Sequence, residues 1–249
     1  VRIVVEDADD AEEIAAWRNT IAALQAAGCL VVVQLCDSAY LADFDTETWD
    51  ARVRLFLATF PEADAWEIGN ELGGSWAGED AVDKTLRAAR AVRSNPATKA
   101  ATTLLTLYYQ LGQDDAAHSL FTWAQHELDE ALRELTDVIG LSVYPQWHPL
   151  GAAADRVLTT LASTFPGKLL ALTELGYGAD DLNDGPWWFG SETDMESGRT
   201  AVATHLTSVA LGRPQAWGAP FWWYYLEDEA PGAPGGPVSP ALAQAAATR

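Results

Sequence analysis

The chain has few cysteines, and their spacing excludes a disulfide framework. Its 249 residues include 2 cysteines, Cys29 and Cys36, at the two ends of an apolar run that predicts one strand. Seven strand steps would separate their Cα atoms by about 23 Å, far beyond the reach of a disulfide bond. We therefore expect free thiols, which favours either a reducing compartment or two small buried side chains. Localisation stays open between cytoplasmic and secreted after removal of a signal peptide.

Basic side chains are also scarce, which argues against two classes of partner. The sequence has 15 Lys and Arg against 36 Asp and Glu, a formal net charge of −21. A surface this acidic repels phosphate backbones and anionic lipid, so we expect no nucleic-acid partner and no membrane partner. No apolar run approaches the ~20 residues of a membrane span. The 4 histidines are scattered, without a Cys or His cluster, so we expect no metal site.

What the sequence does contain is an alternation of short apolar runs with longer helical patterns. Hydrophobic residues make up 49% of the chain, which is typical of a globular protein. Near-continuous apolar runs, typical of parallel strands covered by helices, occupy residues 1–5, 30–35, 65–69, 101–107, 138–144, 169–173 and 221–226. Helical patterns with acidic starts and terminal breakers occupy 9–27, 45–59, 80–93, 114–135, 152–163 and 194–212, with a last short helix at 240–248.

Repeated strand–helix units predict a parallel sheet, either closed as a barrel or open and doubly wound. No glycine-rich phosphate-binding motif follows the first apolar run, which weakens the open, nucleotide-binding alternative. We therefore predict an α/β fold of the (β/α)8 TIM-barrel type, forming a single domain over residues 1–249. Seven strands are recognisable where a complete barrel has eight, so either the barrel closes with seven strands or one β/α unit is lacking and two edges stay unpaired. Unpaired barrel edges would predict a homodimer.

Two strand ends carry acidic side chains, where the active sites of such barrels lie. Asn70 and Glu71 close the third apolar run, and Glu174 follows the sixth. A carboxylate at such a position is costly unless it is paired or functional. Each could be a structural glutamate bridged to an arginine across the barrel mouth, or a working acid.

Aromatic residues near these strand ends favour the functional alternative. Tyr144, Trp147 and His148 close the fifth run, and further tryptophans follow at Trp222 and Trp223. Loops on the same face add three more, at positions 76, 187 and 188. Flat aromatic faces beside carboxylates suit sugar rings. Because side chains alternate along a strand, one of the Trp222/Trp223 pair is expected to face the barrel interior and the other to pack under the helices.

This pattern resembles clan A of the retaining glycoside hydrolases. The resemblance rests on Asn70-Glu71 at one strand end, Glu174 three strands later, Tyr144 on a strand between them and Trp223 on the last. Two stretches, IGNEL at 68–72 and DVIGLSVYPQWH at 137–148, are similar to the arabinogalactan endo-β-1,4-galactanases. At 34–37, however, the sequence QLCD lacks the aromatic or histidine of that family, which weakens galactan as the substrate.

The resemblance implies a hydrolase that cleaves β-linked glycosidic bonds in a polysaccharide or oligosaccharide, by double displacement and without a cofactor. It makes Glu71 the general acid/base on the fourth barrel strand and Glu174 the nucleophile. Because only two recognisable strands precede the strand of Glu71, the resemblance also implies that the first β/α unit is lacking. Asn70 would bind the 2-hydroxyl group of the sugar, and Tyr144 would hold the nucleophile. Arg2 would support the nucleophile electrostatically, unless it is a frayed terminal cation.

Three residues would complete the substrate site by resemblance. Trp223 would form the floor under the sugar at the point of cleavage. Trp147 and His148 would extend the cleft, or else serve as a loop anchor and a capping histidine.

Other functions remain open from the sequence alone. An exo-acting β-glycosidase, a non-catalytic carbohydrate-binding barrel and a metal-dependent barrel hydrolase are the alternatives. The acidic loop at 180–184 could hold calcium, but a solvated acidic turn is the favoured interpretation.

Overall fold

A computed structural model describes residues 1–5, 11–112, 115–178, 195–233 and 236–247. Within these residues six strands form one sheet in chain order. They are β1 (Arg2–Ile3), β2 (Val32–Gln34), β3 (Ala65–Leu72), β4 (Thr102–Tyr108), β5 (Val138–Val143) and β6 (Leu169–Leu175). The first four pair in parallel. Helices between the strands complete the arrangement, so the predicted α/β fold is confirmed as an incomplete (β/α) barrel.

Helices occupy nearly all of the predicted helical patterns. In chain order they are α1 (Ala11–Ala26), α2 (Ser38–Leu41), α3 (Thr46–Thr59), α4 (Ala81–Ser94), α5 (Leu120–Glu127), α6 (Glu130–Leu135), α7 (Ala154–Thr164), α8 (Met195–Leu211), α9 (Tyr225–Asp228) and α10 (Ser239–Ala247). A 3-10 turn at Ser75–Ala77 follows β3. The short helices α2 and α9 and this turn were not predicted.

The prediction of one continuous helix over 114–135 was wrong. The chain leaves α5 after Glu127, and Asp129 begins α6 by accepting a hydrogen bond from the Ala131 backbone N–H at 2.6 Å. An aspartate at the N-cap satisfies an exposed N–H group of a new helix, which makes a break at this point favourable. Asp45 caps α3 in the same way, at the start of the helical pattern predicted over 45–59.

The chain divides into two compact units. Unit 1 contains Val1–Tyr108 and Thr122–Ile139, and unit 2 contains Tyr109–Phe121 and Gly140–Arg249. The single domain over 1–249 stays a prediction. The homodimer also stays a prediction.

The core of unit 1 explains why the sequence of β3 is a nearly continuous apolar run. Trp66 and Ile68 on β3 are buried, as are Phe56 and Leu57 on α3. A parallel strand covered on both faces needs apolar residues at successive positions, rather than alternation. The carboxyl end of β3 is irregular, since its pairing with β4 shifts register twice between Glu67 and Leu72. These shifts lie where the polar side chains begin.

The strand predicted at 221–226 is reduced in unit 2 to interrupted pairing. Ala216 and Trp222 each form an isolated parallel bridge with β6, to Leu170 and Leu175 respectively. Backbone hydrogen bonds join β6 to both segments, including Trp217 N to Leu170 O at 2.9 Å. Pro220 lies between them and has no N–H to donate, which interrupts the ladder. Beyond the second bridge the chain turns into α9 rather than continuing as a strand.

Both cysteines are free thiols, as predicted. Cys36 is buried, and this burial raises the pKa of its thiol to about 12. A thiol with so high a pKa is protonated at neutral pH, which suits a small apolar side chain rather than a nucleophile.

Candidate active site

The carboxyl end of β3 holds Glu71 in a strained backbone conformation. Its φ of 47° lies in the left-handed region, where a residue with a Cβ costs of order 1 kcal/mol or more. Glu71 is also half-buried. Strain of this kind persists where the surrounding structure fixes it, and it is concentrated at functional positions.

Ser38, the first residue of α2, links the two polar residues at this strand end. Its hydroxyl donates to Glu71 Oε2 at 2.8 Å, and its backbone N–H donates to Asn70 Oδ1 at 2.9 Å. The indole Nε1–H of Trp76 donates to the Ser38 hydroxyl at 2.9 Å. Sequence reasoning missed Ser38, because one serine after a strand carries no distinguishing signal.

A buried ion pair lies next to this network in unit 1. Arg2 Nε donates to Glu67 Oε2 at 2.5 Å, and their side chains are 4% and 0% exposed. Glu67 Oε1 accepts hydrogen bonds from Thr106 Oγ1 at 2.6 Å and from Asn70 Nδ2 at 3.3 Å. Both ends of the Asn70 amide are therefore held, by Glu67 and by the Ser38 backbone.

Arg2 pairs with Glu67, whereas the resemblance implied that Arg2 supports Glu174. Arg2 is not a frayed terminal cation, because its side chain is buried against Glu67. Its predicted support of Glu174 stays a prediction. Glu67 itself was missed, although an acid among the apolar residues of β3 indicates a buried cation partner.

In unit 2, Glu174 near the end of β6 is buried and held by Tyr144. The Tyr144 hydroxyl, one residue beyond β5, donates to Glu174 Oε1 at 2.6 Å. A buried carboxyl group held by a phenol in this way is fixed in position.

The tyrosine fits because Gly176 allows close packing. A Cβ added to Gly176 would lie 2.7 Å from Tyr144 Cε1, a distance that is not compatible with a side chain. The hydrogen bond between Tyr144 and Glu174 therefore depends on the absence of a side chain at Gly176.

Gly176→Ala is expected to lower the free energy of unfolding by about 1–3 kcal/mol, because the new methyl group overpacks the Tyr144 ring. Denaturant unfolding of Gly176→Ala beside Gly218→Ala measures this, since a Cβ at Gly218 would meet open space. In a Tyr144→Ala background the same substitution should cost much less. Equal costs in both backgrounds would show that the ring is not what the methyl group meets.

Trp147 and His148 lie in the turn that follows Tyr144. The centroids of the Trp147 and Tyr144 rings lie 4.8 Å apart, and Trp147 is 45% exposed. His148 is buried, and its backbone N–H donates to Tyr144 O at 3.0 Å. Trp147 thus presents an open aromatic face beside the residue that holds Glu174, whereas His148 is enclosed in the turn.

The two adjacent tryptophans near the end of unit 2 differ in burial. Trp222 is buried, and its indole N–H donates to Asp228 Oδ2 at 2.6 Å. Trp223 is half-buried. Asp228 also pairs with Arg199 at 3.1 Å; burial raises the pKa of the Asp228 carboxyl, while the bonds from Trp222 and Arg199 oppose that rise.

The sequence-predicted site residues are thus divided between the units. Arg2, Asn70 and Glu71 belong to unit 1, and the remaining five, at 144, 147, 148, 174 and 223, belong to unit 2. A common pocket for Glu71 and Glu174 stays a prediction. The acidic loop at 180–184 and the tryptophans at 187 and 188 lie outside the described residues.

Neither a candidate metal cluster nor a membrane-spanning helix occurs among the described residues. Among them, no group of three or more His, Cys, Asp or Glu side chains is placed to hold a metal ion. No helix in the same part of the chain combines the length and apolar character needed to cross a membrane.

No protein-family model and no curated protein matches the chain. Solved structures, in contrast, match the chain. A family 5 xyloglucanase from Paenibacillus pabuli is 12% identical, with a TM-score of 0.66 over 98% of this chain and 86% of that one. A structure of fungal β-1,4-galactanases is 15% identical, with a TM-score of 0.62 and the same coverage. A GH10 xylanase from Thermobacillus composti is also 15% identical, with a TM-score of 0.56 over 97% of this chain and 82% of that one.

At sequence identities this low, the similarity to these structures shows a shared fold. The chain has the barrel fold found in clan A glycoside hydrolases, so the predicted resemblance is confirmed at that level.

Proposed function

We propose that the protein is a retaining glycoside hydrolase that cleaves β-linked glycosidic bonds in a polysaccharide or oligosaccharide. The observation that carries the proposal is the buried carboxylate of Glu174, held by the Tyr144 hydroxyl at 2.6 Å near the end of a barrel strand. A carboxylate fixed in this manner suits a nucleophile, because its attacking oxygen is oriented before the sugar arrives.

The second acid is Glu71, at the end of β3. Retaining hydrolysis needs one carboxyl group protonated at rest and one ionised, about 5–5.5 Å apart. Hydrolysis proceeds in two displacements. Glu174 attacks the anomeric carbon while Glu71 transfers its proton to the leaving oxygen, and the glycosidic C–O bond breaks as the covalent ester forms. Glu71 then takes a proton from water, whose oxygen attacks the anomeric carbon and releases Glu174.

Further residues are assigned to substrate binding. Asn70, held at both ends of its amide, would present a fixed hydrogen-bonding group to the 2-hydroxyl of the sugar. Trp223 would lie under the sugar ring, and the exposed ring of Trp147 would extend the binding surface. Aromatic faces of this kind bind the C–H faces of sugars. No cofactor takes part in this mechanism.

The substrate class is supported by the neighbours in fold. They are named as a xyloglucanase, β-1,4-galactanases and a xylanase. We propose a plant or microbial β-linked polysaccharide of this kind for the present protein.

A screen of chromogenic β-glycosides and dyed β-linked polysaccharides tests the proposal. The protein is expected to release dye from at least one polymer or aryl glycoside, and Glu71→Ala is expected to release far less. The size distribution of the products separates internal cleavage from removal of terminal sugars. Sugar binding without any turnover would instead favour the non-catalytic carbohydrate-binding barrel, and turnover abolished by a strong chelator would favour the metal-dependent alternative.

A further inference from the structure

We propose that Ser38 and Trp76 form a relay that orients the acidic proton of Glu71. The inference rests on the proposed function of Glu71 as general acid/base, and it makes Ser38 and Trp76 positioning residues. The observation behind it is a chain of hydrogen bonds between three side chains of unit 1, in which Trp76 donates to Ser38 and Ser38 donates to Glu71.

The chemistry of the donors fixes the direction of this line. An indole N–H can only donate, so Ser38 Oγ must act as the acceptor of the Trp76 bond. The serine hydroxyl has a single proton, and the indole occupies one of its lone-pair directions. That proton is therefore directed at Glu71 Oε2, 2.8 Å away.

A hydroxyl directed at one carboxyl oxygen distinguishes the two oxygens of Glu71. Oε2 accepts from Ser38, which favours Oε1 as the oxygen that carries the acidic proton. When Oε1 gives that proton to the leaving oxygen, the bond from Ser38 becomes a bond to a carboxylate and strengthens. In the second displacement Oε1 takes the proton back from water.

The surrounding structure holds both members of the relay. Ser38 is 2% exposed, and its backbone N–H is bound to Asn70. The Trp76 ring lies against Gly74, where an added Cβ would approach to 2.5 Å, and it meets the Tyr108 ring edge-on at 4.7 Å. A half-exposed tryptophan fixed in this way positions its N–H, whereas a freely rotating one would not.

Three variants distinguish the effect of the Ser38 hydroxyl from the effects of its backbone N–H and of the Trp76 ring. Ser38→Ala removes the hydroxyl but keeps the backbone N–H to Asn70, and Ser38→Thr keeps a hydroxyl. Trp76→Phe removes only the indole N–H and retains an aromatic ring. The charged groups nearby are the Arg2–Glu67 pair and Asp37, which caps α2 by accepting from the Ala39 N–H, and they are unchanged in every variant.

The first measurement is a 13C NMR titration of the Glu71 carboxyl, assigned with Glu71→Gln, and it does not depend on activity. Loss of a donor to the carboxylate disfavours its ionised form, so Ser38→Ala should raise the titration midpoint by about one pH unit. Trp76→Phe should raise it by a smaller amount, and Ser38→Thr should match the wild type. Unchanged midpoints in both Ser38→Ala and Trp76→Phe would overturn the relay.

The second measurement compares aryl glycosides with poor and good leaving groups. Ser38→Ala should lower kcat/KM about tenfold for a poor leaving group, which needs the proton, and about twofold or less for a dinitrophenyl group. Equal losses on both substrates would overturn the role in proton transfer. If the midpoints move as expected and the wild-type protein cleaves no glycoside, the relay stands and the proposed hydrolase function fails.

Discussion

Replacing Glu174 with alanine is expected to lower the turnover of a β-glycoside by about 10⁴-fold or more, while sugar binding is retained. The covalent route disappears with the nucleophile, and losses of this size follow removal of a residue that forms the covalent intermediate. The initial rate on the best aryl glycoside from the screen measures the loss. Isothermal titration with the matching oligosaccharide measures binding. Glu62→Gln, which replaces an exposed glutamate, is the control and should retain full turnover.

Azide distinguishes the nucleophile from the acid/base. In Glu174→Ala a small anion can occupy the vacated space and attack the anomeric carbon directly, so the glycosyl azide should form with inverted configuration. In Glu71→Ala the covalent intermediate still forms with a good leaving group, and azide needs no base to release it. That product should keep the original configuration.

NMR of the azide products decides the assignment. The opposite pattern of configurations would exchange the two roles. Rescue of neither variant, together with full activity of Glu174→Gln, would contradict the double-displacement mechanism.

Much of the fold could be predicted because its strands are covered on both faces. A covered parallel strand is apolar at successive positions, so β3, β4, β5 and β6 are visible in the sequence as runs. Local capping explains what was missed. Asp129 begins a new helix inside a continuous helical pattern, and periodicity alone does not reveal such a break.

The interrupted seventh strand shows a different limit. The apolar run at 221–226 resembles a strand, but only its start pairs with β6, through the bridge at Trp222, and the chain turns into α9 at Tyr225. Apolar composition alone does not show where such pairing ends.

Side-chain partners were the hardest feature to predict. Glu174 and Tyr144 could be assigned by resemblance, and the structure joins them. Ser38 could not, because its role arises from which strand ends meet. For Glu67 the surrounding apolar run indicates a buried cation partner, but it does not show which cation this is. Gln34 on β2 pairs in register with Glu67 on β3, and such alignments across distant segments leave no local signal.

The buried pair of Arg2 and Glu67 should have the largest effect on stability. Glu67→Ala leaves a charged Arg2 side chain that is 4% exposed without its bidentate partner. Removal of one member of a buried ion pair typically costs about 3–5 kcal/mol. Denaturant unfolding measures the loss in free energy. As a matched control, Asp83→Ala breaks the pair with Arg87 on the surface of α4, and stability should change little because solvent screens that pair.

The double variant Arg2→Met with Glu67→Leu tests whether the loss comes from the uncompensated charge. Apolar side chains of similar size need no partner, so the double variant should be more stable than Glu67→Ala. It should still impair catalysis, because Glu67 also accepts the hydrogen bond from Asn70 that fixes the amide at the end of β3. A protein that regained stability but lost activity would show that the buried pair orients the site. Equal stability of the single and double variants would mean that shape, rather than charge, makes Glu67 necessary.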